Sequence, residues 1–172
     1  MRVALTGTPG VGKTTVAAEA ARHGWAVVDL KAWARAVGAV AGHDPTDQAD
    51  AIDVALLRRQ RRGLPADCLV EGHLSHLLGL DAAWVLRCDP AVLRGRLQLR
   101  GYGPAKVHEN LEAEALDLIL QEALDATPRV VQRDGTRRNA AEVFAAFADV
   151  RLDALKAPDL EPVDWSGQLP IR

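Results

Sequence analysis

Gly7-Thr8-Pro9-Gly10-Val11-Gly12-Lys13-Thr14 satisfies GxxxxGK[ST] at every fixed position. The pattern describes a P-loop. Its glycines let consecutive backbone N–H groups turn inward around phosphate oxygens, Lys13 adds a positive point charge, and the Thr14 hydroxyl is placed to ligate Mg²⁺. The flanks suit the motif. Arg2-Val3-Ala4-Leu5-Thr6 is an apolar run fit for a buried strand, and Thr15 to Arg22 is rich in helix formers. Strand, glycine loop and helix in this order predict nucleotide phosphate binding through Gly10, Val11, Gly12, Lys13, Thr14 and Thr15.

Outward from the loop, apolar runs alternate with helical stretches. Strands are expected at Trp25–Asp29, Asp67–Glu71, Ala82–Arg87 and Arg129–Gln132, in addition to the first. Helices are expected over 30–41, about 50–62, from Asp89-Pro90 to Arg100, from Val107 to Leu124 and from Asn139 to Asp149. Gly42-His43-Asp44-Pro45 breaks the second from the third. Asp89 is a good N-cap with Pro90 at the first helical position, and Asn139 caps the last helix. Alternation of this kind predicts an α/β, three-layer P-loop nucleoside-triphosphate hydrolase fold with a parallel five-stranded sheet, helices on both faces and a short lid. The whole chain, 1–172, reads as a single P-loop domain. Residues 150–172 read as an extended or partly ordered tail, with Trp165 docked on the domain because exposing a tryptophan is costly.

Composition excludes several function classes. The chain has 172 residues, a net charge of −2 and 48% hydrophobic residues, so it can bury a core and carries no global basic field for nucleic acid. Only four of its 21 basic residues are lysines, a compositional bias. No apolar run is long enough for a membrane span, and the N-terminus enters a strand directly, which points to the cytoplasm. Cys68 and Cys88 sit in apolar runs without CxxC spacing and read as buried free thiols.

Two further constellations bear on chemistry. Arg96 and Arg100 lie four apart on one helical face, directly before the breaker Gly101-Tyr102-Gly103-Pro104 and a short mobile segment ending near Lys106. An arginine pair of this kind is either a solvated basic face or, beside a P-loop, a lid that neutralises charge on a transferring phosphoryl group and excludes water. Leu69-Val70-Glu71-Gly72-His73 is an apolar strand ending in a carboxylate, where a P-loop protein places its Walker B acid. Glu71 there suits Mg²⁺ contact through water, and His73, beyond the strand end, either orients water, contacts phosphate or is structural. His76 has the same alternatives. The turn Asp134-Gly135-Thr136 either covers a base or simply joins strand to helix.

GTPGVGKTT, EGHLSHLL, the VLRCDP strand-to-helix step and RGY…K…EN…AEALD together resemble the small adenylate kinases of archaea, related to a eukaryotic nuclear isoenzyme that acts as a ribosome-assembly ATPase. The resemblance covers about residues 1–148. It implies an adenylate kinase of broad monophosphate specificity, ATP plus AMP giving two ADP, with Mg²⁺ and a side ATPase activity. It further implies a role in maturing the small ribosomal subunit through contact with one of its proteins. On this basis residues 29–51 form the monophosphate segment with Arg35 meeting the AMP phosphate, 99–109 form the lid, Arg100 contacts ATP with Arg96 beside it, and Glu71 and His73 are the acid-x-His motif, with Glu in place of the eukaryotic Asp. The alternatives are an assembly ATPase with little kinase activity, or a shikimate- or gluconate-type kinase.

Overall fold

The computed structural model describes residues 1–44 and 49–168. Its first elements are β1 (Arg2–Thr6), α1 (Lys13–Arg22), β2 (Val27–Asp29), α2 (Leu30–Ala36), β3 (Val40–Asp44), β4 (Ala49–Ile52) and α3 (Val54–Gln60). There follow β5 (Cys68–Glu71), β6 (Ala82–Arg87), α4 (Pro90–Leu99), α5 (Pro104–Ala115) and α6 (Leu118–Ala126). The chain ends with β7 (Val130–Asp134), α7 (Ala140–Ala148) and β8 (Asp159–Leu160).

The main sheet has the order β2-β5-β1-β6-β7-β8, and every neighbouring pair in it is parallel. Parallel strands need crossovers, and the helices that make them cover both faces, which is why β6 is buried along its whole length. Side chains alternate between the two faces. Val3, Leu5 and Trp84 join Val16 and Ala20 of α1 and Phe144 and Phe147 of α7 in one core. Ala4, Val70 and Val85 join Leu30 of α2, Leu57 of α3 and Leu120 of α6 in the other. No helix among the described residues is long and apolar enough to cross a membrane, and both cysteines are free and buried.

Four expectations are corrected. The sheet has six strands, not five, because the tail returns to add β8 beside β7. The helix expected over 30–41 ends at Ala36. Gly38, at φ +71°, takes the left-handed turn past its C-terminus. Strands β3 and β4 then pair antiparallel, with Val40 opposite Ile52 and Asp44 opposite Ala49. The third helix starts at Val54 rather than near 50, capped by Asp53, whose carboxylate accepts the Leu56 amide at 2.8 Å. The long helix over 107–124 is two helices, α5 and α6. Arg87 reaches the end of α5 and donates to the Glu114 carbonyl at 2.7 Å and to the Asp117 carboxylate at 2.5 Å. Asp117 turns left-handed there, at φ +57°. Of the expected break at 42–45, Pro45 lies outside the described residues.

Candidate active site

The P-loop leaves β1 through Gly7, whose φ is +139°; a Cβ there would stand 2.3 Å from the Leu86 carbonyl oxygen, so only glycine fits. Gly12, at φ +110°, is the N-cap of α1 and turns the loop into the helix. Lys13 is 7% exposed and donates to the carbonyls of Gly7 at 2.7 Å and Thr8 at 3.0 Å. Burial pushes its ammonium down to about 8; Glu71 opposes that shift and the charge of Arg100 adds to it.

β2 and β5 end side by side, with Asp29 in register with Glu71. The Thr14 hydroxyl donates to Glu71 at 3.4 Å, so the loop and the acid face one point. Burial, chiefly, and the nearby Asp29 raise the Glu71 pKa, with Lys13 opposing. A carboxylate held uphill in this way beside a hydroxyl is a fitting place for a hard cation. Mg²⁺ keeps several waters and takes only one or two protein carboxylates, so the site requires no closed cage of acids.

His73 lies just past Glu71. Burial first, then the charges of Lys13, Lys31, His76 and Lys106, lower its pKa to about 4, and the ring is neutral at physiological pH. His76 is placed differently. It is buried, its Nδ1 lies 2.8 Å from the Thr6 hydroxyl and its Nε2 2.9 Å from a Glu122 oxygen, so it joins β1 to α6 as a structural residue.

The helix α4 and its C-cap bring Arg96 and Arg100 to a cleft beside the P-loop. Arg96 donates to the Val11 carbonyl at 3.2 Å and the Thr136 carbonyl at 3.5 Å, bridging the P-loop to the turn after β7. Arg100 is exposed at the end of α4. Of the expected lid, only Arg100–Gly103 lies outside helices, because α5 already starts at Pro104. A cleft of about 520 Å³ opens here, with Gly10, Gly12 and Thr15 on one wall, Gly135, Arg138 and Asn139 on the other, and both arginines at its rim. Arg35 stands apart from this group. Its guanidinium donates from Nε and Nη2 to Asp50 at 3.2 and 2.6 Å.

A second set of residues escapes the sequence reading. Glu114 of α5 is 2% exposed. It accepts from the Thr8 hydroxyl, from Arg87 Nε at 2.8 Å and from the Cys88 amide at 3.0 Å. Arg87, also 2% exposed, donates to Gln132 at 3.0 Å and lies 5.0 Å from the ring of Trp165. One signal was available. Glu114 shares the buried face of α5 with Val107, Leu111 and Ala115, an acid where an apolar residue belongs.

A family model described as an AAA domain matches residues 3–117. A protein of Archaeoglobus fulgidus named "Putative adenylate kinase" is 42% identical over 175 residues, covering 100% of this chain and 96% of its own. One of the same name from Methanothermobacter thermautotrophicus is 41% identical, with 97% and 98% covered. This chain belongs to the archaeal-type small adenylate kinase family. The family match ends before β7, the turn at Gly135 and the tail, so those parts of the cleft rest on the full-length relatives and on the structure. Shikimate kinase from Bacteroides thetaiotaomicron superposes with a TM-score of 0.51 at 19% identity, over 87% of this chain and 97% of that one. It shares the fold.

Proposed function

We propose that the chain is an adenylate kinase of broad monophosphate specificity, moving the terminal phosphoryl group of ATP to AMP and back. The observation that carries this reading is the cleft in which Arg96 and Arg100 face the P-loop at Gly10, Gly12 and Thr15. Beside it the Lys13 ammonium feels the charges of both Arg100 and Glu71, and Thr14 donates to Glu71. The relatives that match it along their whole length bear the adenylate kinase name.

In this reading the amides of Gly10, Val11, Gly12 and Thr15 cradle the phosphates of ATP, and its base enters the cleft toward Gly135 and Asn139. Lys13 leaves the carbonyls of Gly7 and Thr8 for the phosphates, which hold its charged form more firmly than the buried carbonyls do. Thr14 directly, and Glu71 through water, would hold Mg²⁺, which supplies charge neutralisation on the phosphate oxygens. Arg100 closes on the phosphates from the lid. Arg96, already fastened to the P-loop, aligns that wall of the cleft. Neutral His73 orients a water or accepts a hydrogen bond near the transferring group. Arg35 exchanges Asp50 for the phosphate of AMP. An oxygen of that phosphate forms the new P–O bond as the bond to the β-phosphate of ATP breaks. The attacking oxygen is already ionised, so no base removes a proton, and the catalytic work is alignment and charge neutralisation.

The decisive test is Lys13→Ala, which lowers turnover by about 10²–10³-fold, the usual loss for a fixed donor to transition-state charge, while the circular dichroism stays native. Near-normal turnover in that variant would sink the proposal. The ATPase activity and the small-subunit role follow from the family resemblance alone. ADP formation with and without AMP separates transfer from hydrolysis: a large stimulation by AMP marks the kinase, none the ATPase. A thermal-shift screen of AMP, other monophosphates and shikimate decides the acceptor.

A further inference from the structure

The tail does more than cover the sheet. Strand β8 runs parallel beside β7, with Asp159 paired to Val131 and Leu160 to Gln132. Glu161 follows directly. Its carboxylate holds the Arg138 guanidinium in a fork, at 2.6 Å from Nη1 and 2.8 Å from Nη2, and accepts the Asp134 amide at 3.0 Å. Arg138 also donates to the Asp134 carbonyl at 3.2 Å. Both ends of the turn after β7 are therefore tied to one side chain from the tail. Arg138 itself lines the cleft opposite the P-loop. Four residues later Trp165 covers Arg87, which holds Glu114, which holds Thr8. Both walls of the cleft thus lean on the same strap.

We propose that Glu161 is a positioning residue for the donor nucleotide: from the strap, it fixes the Arg138 guanidinium in the cleft wall where the base and ribose of ATP lie. This rests on the kinase reading above. An arginine on a surface turn has many rotamers, and a ligand that orders it spends binding energy doing so. A two-point fork selects one orientation before the ligand arrives, and leaves the planar face of the guanidinium available to stack on a base. A fork that only fastens the tail would be an ordinary surface ion pair with no effect on the ligand.

The experiment measures ATP affinity in the full chain by displacement of a fluorescent ATP analogue, for wild type, E161A, R138A and the double variant. E161A is expected to raise the Kd about tenfold, and R138A by a similar factor. In the R138A background, E161A adds less than about twofold, because the two residues act as one unit. An E161A Kd within about twofold of wild type, or full additivity in the double variant, overturns the proposal. E161Q keeps one carbonyl acceptor and carries the same cycle if E161A is recovered unfolded. Binding is read apart from transfer. A wild type that binds ATP yet moves no phosphate overturns the kinase reading and leaves the Glu161 comparison standing, whereas one that binds no ATP overturns both.

Discussion

The P-loop region and the Arg35 region are built on opposite plans. At the P-loop, Thr8, Glu114 and Arg87 form a buried chain of charged hydrogen bonds, and Arg96 is fastened to two backbone carbonyls. At Arg35, the mostly exposed guanidinium holds the Asp50 carboxylate of β4, a strand of the small two-stranded sheet outside the main one. A buried network in low dielectric has one geometry, whereas an exposed pair exchanges partners at little cost. The first arrangement suits a ligand whose phosphates must always lie in the same place. The second suits one that is admitted by rearrangement, as proposed for the monophosphate.

The largest expected effect lies in the rigid region. Arg87→Ala strands the buried Glu114 and should cost about 3–5 kcal/mol, the usual penalty for removing one partner of a buried pair. Urea unfolding measures it, and a loss below about 1 kcal/mol would break the contrast between the two regions.

In the exposed region, Arg35→Ala should raise the KM for AMP about tenfold with unfolding stability unchanged, because its pair with Asp50 is solvent-screened. Asp50→Asn should lower that KM by about two- to threefold, since the phosphate then displaces a weaker partner. If both substitutions leave the KM for AMP at the wild-type value, Arg35 does not meet the monophosphate.

Lys13 makes a pH-dependent prediction. Its pKa is about 8 in the folded chain and 10.5 when unfolded. Between these values the unfolded chain binds more protons, so stability rises with pH across that window, and below 8 the cost of the buried charge is present in full. ATP affinity should move the other way, falling as pH rises through about 8, because the phosphates call for the charged form. Lys13→Met should flatten both slopes. Equal slopes in the variant would assign the titration to another group.

The smallest effect concerns the neutral histidines. The His73 pKa is lowered from 6.5 to about 4, and that of His76 is lowered as well, mainly by burial in both cases. Stability from the neutral form of His73 is therefore present above 6.5 and is lost as pH falls toward 4, and His76 acts in the same direction. The pH–rate profile should show no histidine step near 6.5. His73→Gln should shorten the acid limb of the stability curve, and an unchanged limb would contradict the placement of His73.

How much of this was legible depends on sequence distance. β1, the P-loop and α1 could be read directly because their signals lie within 22 consecutive residues. The helix start at Asp89-Pro90 and the Asn139 cap of α7 are equally local, each side chain accepting from an amide two or three residues on. The start of β3 does not follow from local propensity: the alanine-rich stretch up to Ala41 favours helix, and the turn at Gly38 prevails over it. The break between α5 and α6 is held by a contact distant in sequence, since Arg87, which donates to the Glu114 carbonyl, lies 27 residues before it.

The sequence by itself determined the phosphate cradle, the acid-x-His strand end at Glu71 and His73 and the helical spacing of Arg96 and Arg100, because each depends on backbone conformation and side-chain direction over a few residues. Tertiary structure decided the rest. It separated His73 from the structural His76, paired Arg35 with Asp50, bonded Glu114 to Thr8 of the P-loop, and brought Glu161 to Arg138 and Trp165 over Arg87. These contacts join residues 15 to more than 100 positions apart. They are fixed by the order of strands in the sheet and by the need to give every buried charge a partner, which no short stretch of sequence expresses.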